Sequence, residues 1–354
     1  MRIAVDVSPL SHPRSGIGNY IRGSIAGLVE AAAGRHEIIA FAPTSPRGMR
    51  AIPAALSGLD LGRRLVLLPF AHHWRQAWSR RGRPPVERFL GDIDVLHYSD
   101  WMYPPQRGGL RSTMVHDLVP LHHPEWVQER TFAMHSAKYA DADACDTVFV
   151  NSAYTGRDVV ETLRLDPARI HVAPPGVGRS FGPDGDRADL GAPYVLTVAT
   201  LEPRKNLGVL VEAHRLLHGR FLLAVAGAEG WGEQPELQHE GIVRLGRVDD
   251  TELARLYRGA AAVAYPSRLE GFGMPVVEAL ASGVPVVASS HPSLDEASGT
   301  AALRADPERP DVWAERLVEA AERWEELAPQ GLAHAARFTW LAVGETMLRA
   351  WAAA

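Results

Sequence analysis

The sequence is poor in cysteine, in lysine and in long apolar runs, and each shortage excludes something. One cysteine, Cys145, stands among 354 residues. That rules out a disulfide framework and any cysteine-built zinc site, and leaves a lone buried thiol as its plain reading. Lys138 and Lys205 are the only lysines beside 35 arginines, a bias that the base composition of a GC-rich genome would produce. No apolar run approaches the ~18 residues that span a bilayer. The first residues, Met1-Arg-Ile-Ala-Val-Asp-Val7, run straight into a strand without a charged region, an apolar region and a cleavage site. A cytoplasmic protein is expected. No helix-turn-helix, RNA-recognition signature or zinc finger is present, so nucleic acid is not an expected partner. Two Asp-x-Asp pairs, Asp92-Ile-Asp94 and Asp141-Ala-Asp143, each precede a candidate strand and read as turns. No metal ligand set and no cofactor are expected.

What is present is the composition of a globular protein, 46% hydrophobic and 22% charged, long enough for two α/β domains. Residues 1–180 carry a net charge of +4 and residues 181–354 carry −9, so the first half is suited to an anionic partner such as a membrane surface or a phosphorylated acceptor. Short β-branched runs alternate with amphipathic stretches, the pattern of parallel sheets with crossover helices. The first series of strands is expected at 3–7, 37–42, 64–68, 95–98, 112–116, 147–151 and 170–173. A second series is expected at 194–199, 221–226, 242–245, 261–265 and 284–288. Helices are expected at 207–217, 252–259, 276–281, 311–326 and 340–354. The Pro/Gly-rich stretch 176–187 reads as a linker between an N-terminal domain, 1–175, and a C-terminal domain, 188–339.

In such folds ligands bind at the carboxyl edge of the sheet, so the informative residues are those just after strands. Glu270-Gly-Phe-Gly-Met-Pro-Val-Val-Glu278 follows the strand at 261–265. Pro275 suits the first helical position. The amides of Phe272, Gly273 and Met274 would then face an anion from a helix N-terminus. Glu270 at the loop mouth and Glu278 in the first turn offer carboxylates that accept paired hydroxyl hydrogen bonds, as a ribose diol requires. Thr200-Leu-Glu-Pro-Arg-Lys-Asn206 follows the strand at 194–199, where Arg204 and Lys205 can neutralise a diphosphate. After the first strand comes Ser15-Gly-Ile-Gly-Asn-Tyr20. It lacks the third glycine of a dinucleotide fingerprint, and no acidic residue ends the second strand, so NAD is disfavoured. Gly16, Ile17 and Gly18 read instead as a flexible loop beside donor phosphates or acceptor. His116, in Val115-His-Asp-Leu118, is the one histidine placed to hydrogen-bond a transferring sugar or its phosphate. Finally, Trp74 and Trp78 share a helix face among Arg75, Arg80, Arg81, Arg83 and Arg88. Two readings stand: an interfacial patch for a lipid-linked acceptor with peripheral membrane contact, or core tryptophans with solvated arginines.

Together these motifs resemble glycosyltransferase family 4, retaining enzymes of the GT-B fold, in which two Rossmann-like domains face each other across a cleft. The resemblance covers nearly the whole chain. Gly16-Ile-Gly-x-Tyr20, His116-Asp-Leu-x-Pro120 and Leu201-Glu-Pro-Arg-Lys-Asn206 look most like the mannosyltransferase-type branch that uses GDP-mannose. By that resemblance Arg204 and Lys205 hold the donor diphosphate, Glu278 the ribose, and Glu270 the donor sugar. His116 lies near the anomeric carbon, Gly16–Gly18 near the phosphates, and Val248 borders the nucleobase. The partners implied are a nucleotide-sugar donor and a sugar or lipid-linked acceptor. Configuration would be retained by same-face attack, the leaving phosphate accepting the acceptor's proton. The C-terminal helix would cross back onto the first domain.

Overall fold

The central strands form where valine, isoleucine and alanine fall in short runs, because a parallel sheet covered on both faces buries both sides of such strands, while the edge strands Gly62–Leu67 and Ile242–Gly246 carry arginines and are more exposed. The computed structural model describes residues 1–12, 15–99, 102–232 and 235–354. It divides into two units, Met1–Gly176 with Thr339–Ala354, and Val177–Phe338.

The first unit holds strands β1 (Arg2–Asp6), β2 (Glu37–Thr44), β3 (Gly62–Leu67), β4 (Val95–Tyr98), β5 (Leu110–Val115), β6 (Thr147–Val150) and β7 (Ile170–Val172). They form one sheet in the order β3-β2-β1-β4-β5-β6-β7, all pairs parallel. The second unit holds β8 (Tyr194–Val198), β9 (Leu222–Ala226), β10 (Ile242–Gly246), β11 (Ala262–Tyr265), β12 (Val286–Ser289) and β13 (Leu303–Ala305). Their order is β10-β9-β8-β11-β12-β13, again wholly parallel. In each sheet the order reverses beside the first strand, between β1 and β4 and between β8 and β11. Such switch points leave room for a ligand at the carboxyl edge.

The closing helix, Trp340–Ala353, belongs to the first unit. Thr339 caps it by accepting the Ala342 N–H at 3.1 Å. It buries Val343, Met347, Ala350 and Trp351 in the same core as Ile3, Val5 and Ile25. Its partner is the opening helix, Gly16–Ala32, and glycines let the two backbones touch. A Cβ on Gly27 would lie 1.7 Å from the Trp340 carbonyl oxygen, and one on Gly344 would lie 2.2 Å from that of Gly27. Gly27→Val is therefore expected to displace the closing helix and to destabilise the protein by about 3 kcal/mol. Urea unfolding followed by tryptophan fluorescence measures this, and an unchanged midpoint would refute the packing account.

Several expectations need correction. The stretch 176–187 is not a free linker: from Val177 onward it belongs to the second unit, because Phe181 is buried in that unit's core, its ring 5.7 Å from Tyr257. Thr339 belongs to the first unit as the cap just described. The helix expected at 311–326 is two, Pro310–Glu322 and Trp324–Ala335, broken at Arg323. Strand β13 was not anticipated. Gly16-Ile-Gly18 is no flexible loop but the first turn of the opening helix, because the Ser15 hydroxyl accepts the Gly18 N–H at 3.2 Å. Asp141 lies in the helix Glu129–Ala142 rather than in a turn. Of the two tryptophan readings, the packed one holds for the indoles. Trp78 is buried against Phe41, Val86 and Leu90, with Trp74 packed alongside, and their rings are 5.1 Å apart. Cys145 is buried, and burial pushes its thiol up to about 12. No helix of the described residues is long and apolar enough to cross a membrane.

Candidate active site

The switch point of the second sheet is built by the loops leaving β8 and β11. The β8 loop carries a single turn, Pro203–Lys205, and Asn206 follows it in the left-handed conformation at φ 53°. Asn206 secures the turn by donating its side-chain N–H to the Pro307 carbonyl at 2.7 Å. The loop after β9 supports it from the side: Leu201 N–H donates to Ala228 O, and Trp231 N–H to Leu201 O. The β11 loop is tied to the same turn, since Arg268 N–H donates to the Arg204 carbonyl at 3.0 Å.

These loops bring three of the expected residues together. Arg204 Nη1 donates to Glu270 Oε2 at 2.7 Å and to the Leu269 carbonyl at 3.1 Å. Its Nη2 donates to Glu202 Oε1 at 2.7 Å. Lys205 Nζ reaches Glu270 Oε1 at 2.5 Å and the Tyr265 hydroxyl at 3.0 Å. Tyr265 in turn donates to Glu270 Oε1 at 2.9 Å. Both oxygens of Glu270 are thus engaged, and its own N–H is held by Ser293 Oγ at 3.0 Å. Burial alone would raise the Glu270 carboxyl, but Arg204 and then Lys205 outweigh it and hold the group at about 2. Burial, and next the Arg204 charge, push the Lys205 ammonium below its ordinary value against the pull of Glu270 and Glu202. An ammonium has three N–H bonds; two of Lys205's are used among the described residues.

Beyond this cluster the helix Met274–Ala281 begins with Gly273 as its cap, at φ 101°. Only glycine fits there, since a Cβ would also lie 2.5 Å from Leu294 Cδ2. Pro275 is the second helical residue, which puts Glu278 in the second turn rather than the first. Glu278 is buried and accepts the Tyr257 hydroxyl at 3.3 Å. The Phe272 side chain is in the core, 5.2 Å from the Phe338 ring, so only its backbone is available to a ligand. Met274 opens the helix half-buried. Val248 follows β10 and packs on the core, just before Asp249, whose carboxylate caps the next helix through the Glu252 N–H.

The remaining expected residues are in the first unit. His116 follows β5, and Tyr20 of the glycine motif packs edge-on against its ring at 5.2 Å. Tyr20 also donates its hydroxyl to the Ala173 carbonyl and meets Trp340 of the closing helix at 5.7 Å. Gly16 and Ile17 are exposed at the start of the opening helix, while Gly18 is buried. Sequence reasoning missed Glu202, Tyr265, Tyr257 and Ser293. Glu202 alone carried a signal, its place inside the Leu201-Glu-Pro-Arg-Lys-Asn206 motif.

Two family models match the chain, the glycosyl transferases group 1 over residues 184–331 and glycosyltransferase family 4 over residues 15–181. The O-antigen chain mannosyltransferase B of Escherichia coli is 29% identical over 96% of this chain and 96% of its own. A D-inositol 3-phosphate glycosyltransferase of Nocardia farcinica is 29% identical over 99% of this chain and 88% of its own. Among solved structures, Anabaena Alr3699/HepE in complex with UDP-glucose superposes with a TM-score of 0.70 over 100% of both chains, at 14% identity, a likeness that speaks for the fold alone. With two doubly wound parallel sheets, each matched by its own transferase model, the chain belongs to glycosyltransferase family 4 and has the GT-B fold.

Proposed function

We propose that the protein transfers a hexose from a nucleotide diphosphate sugar to a hydroxyl of a glycan, a lipid-linked glycan or a small molecule, with retention of configuration. The donor we favour is GDP-mannose, on the similarity to the O-antigen mannosyltransferase across 96% of both chains. The second unit binds the donor and the first unit the acceptor, and His116 hydrogen-bonds the transferring sugar or its phosphate. The observation that carries the reading is the Arg204–Lys205–Glu270 cluster at the second sheet's switch point. A departing diphosphate develops negative charge, and fixed cations in a site of low dielectric stabilise it most where they need not reorganise. Arg204 and Lys205 are fixed in that sense by Glu270, Glu202 and Tyr265. They supply the charge that a divalent ion would otherwise bring, so turnover is proposed to be metal-independent. Glu270 holds the cations in register through both of its oxygens, and the same carboxylate is assigned to the donor sugar. Glu278 takes the ribose hydroxyls, and the amides of Phe272, Gly273 and Met274 take phosphate and sugar oxygens. With the leaving phosphate as base, no side-chain nucleophile is needed.

A uridine donor is the second reading, because the motifs that resemble the mannosyltransferase-type branch also occur in relatives that use UDP-sugars. Thermal unfolding with GDP, GDP-mannose, UDP and UDP-glucose, each with EDTA and with Mg²⁺, separates the two. The matching donor at a hundredfold excess over Kd is expected to add about 2.7 kcal/mol of stability, equally with EDTA, and to lose this effect in Glu278→Ala. A UDP-only response would move the donor to the second reading. No response to any nucleotide from folded protein would point to a catalytically silent scaffold of the same fold.

A further inference from the structure

His116 and Asn151 follow the neighbouring strands β5 and β6, where Val115 pairs with Val150. The Asn151 Nδ2 lies 3.2 Å from the His116 carbonyl oxygen and 3.3 Å from His116 Nδ1. A carbonyl oxygen can only accept, so the amide must turn its NH₂ toward it. The second N–H of that NH₂ then points at Nδ1, which has to be the unprotonated nitrogen of the ring. In a neutral imidazole the proton is consequently on Nε2. Nε2 is buried and has no hydrogen-bond partner among the described residues, and the same holds for Asn151 Oδ1. An unpaired buried donor is destabilising by about 1–3 kcal/mol, and a fold that retains one invites a chemical explanation.

We propose that Asn151 is a positioning residue that fixes His116 as its Nε2–H tautomer, making the ring a neutral hydrogen-bond donor to a sugar hydroxyl or phosphate oxygen rather than a base. The proposal rests on the reading of His116 as a residue of the transfer site. The ring plane is held independently by the Tyr20 edge contact. The ionisable groups facing the ring are Lys138 and His135 on the helix Glu129–Ala142, His97 on β4 and Tyr20 on the opening helix; Asp117 is its chain neighbour. Burial first, and then the Lys138 charge, hold the imidazole at about 3. Protonation is therefore complete only well below neutral pH, and across ordinary assay conditions the ring carries one proton.

Asn151→Asp tests this with nearly the same shape. A carboxylate facing Nδ1 can only accept, so it draws the proton to Nδ1 and leaves Nε2 bare. It also raises the pKa of the ring. At pH 8 the variant is expected to lose about 100-fold in kcat with the donor KM within about twofold, and to regain activity on acidification as the imidazolium restores Nε2–H. The parent enzyme has no such rise. Nitrogen-15 spectra of histidine-labelled protein read the tautomer without any turnover: Nε2–H in the parent, Nδ1–H in the variant at high pH. A parent ring protonated on Nδ1, or an Asn151→Asp enzyme with parental kcat and pH profile, overturns the proposal. His116→Ala supplies the separate control. If it turns over normally, the role given to His116 fails, while the spectra still decide whether Asn151 sets the tautomer.

Discussion

Glu270→Gln is expected to lower stability by about 3 kcal/mol and to abolish most turnover. The carboxylate is buried between two cations, and taking away one member of a buried ion group leaves the others uncompensated, a change of about 3–5 kcal/mol in the fully buried case. Here Arg204 keeps Glu202, but Lys205 loses the carboxylate it contacts directly, which places the effect near the lower end. The pH dependence follows from the same group. Its folded value is about 2 against an ordinary 4.5, so the stabilisation is fully present above about pH 4.5 and disappears as pH falls through 2. Urea unfolding of the parent should weaken along that limb, while Glu270→Gln should begin lower at pH 7 and lack that component. A variant as stable as the parent at pH 7 would mean that the cluster does not hold the two loops together.

Lys205→Ala separates chemistry from stability. A lysine whose pKa is depressed by burial and by Arg204 opposes folding while it stays charged, and that opposition is relieved progressively as pH rises from the depressed value to the ordinary one. Its removal leaves Glu270 still paired with Arg204, so the stability loss should be clearly smaller than in Glu270→Gln. Catalysis should suffer far more: loss of one preorganised donor to developing negative charge lowers kcat by about 10²–10³-fold. Lys205→Arg should not restore it. The ammonium fits between Tyr265 and Glu270 as a point charge, where a planar guanidinium has different geometry and bulk. Steady-state kinetics with the matched donor, beside unfolding curves, decide the matter. Turnover within about fivefold of the parent would remove Lys205 from the transfer step.

Much of the architecture could be read from the chain because strands buried on both faces announce themselves as apolar runs. Twelve of the strands overlap expected stretches, the edge strands β3 and β10 despite their arginines; β13, Leu303-Arg-Ala305, combines three-residue length with a central charge. The types of residue at the donor side were also legible, since Arg204, Lys205 and Glu270 are charges placed after strands. Their mutual neutralisation was not, because 65 residues separate Lys205 from Glu270 and only the β8–β11 adjacency joins them. Neutral partners stayed silent for a different reason. Asn151 and Tyr265 look like ordinary strand-end residues until the neighbouring strand supplies His116 or Lys205. The glycine motif was misjudged where a local signal existed: a serine three positions before the Gly18 amide is a helix cap, and it turns the supposed loop into a first turn.

The chain leaves the first unit at Gly176 and re-enters it at Thr339, which has a consequence for synthesis on the ribosome. The first sheet and the opening helix are made early, yet the core that Val343, Met347 and Trp351 complete stays open until the closing helix emerges. At about 5–20 residues per second, that wait is on the order of ten to forty seconds. The second unit is contiguous in sequence and can finish folding inside that interval. The half of the protein whose synthesis begins first is thus the half whose core closes last, with the glycine-lined face of its opening helix uncovered throughout the wait.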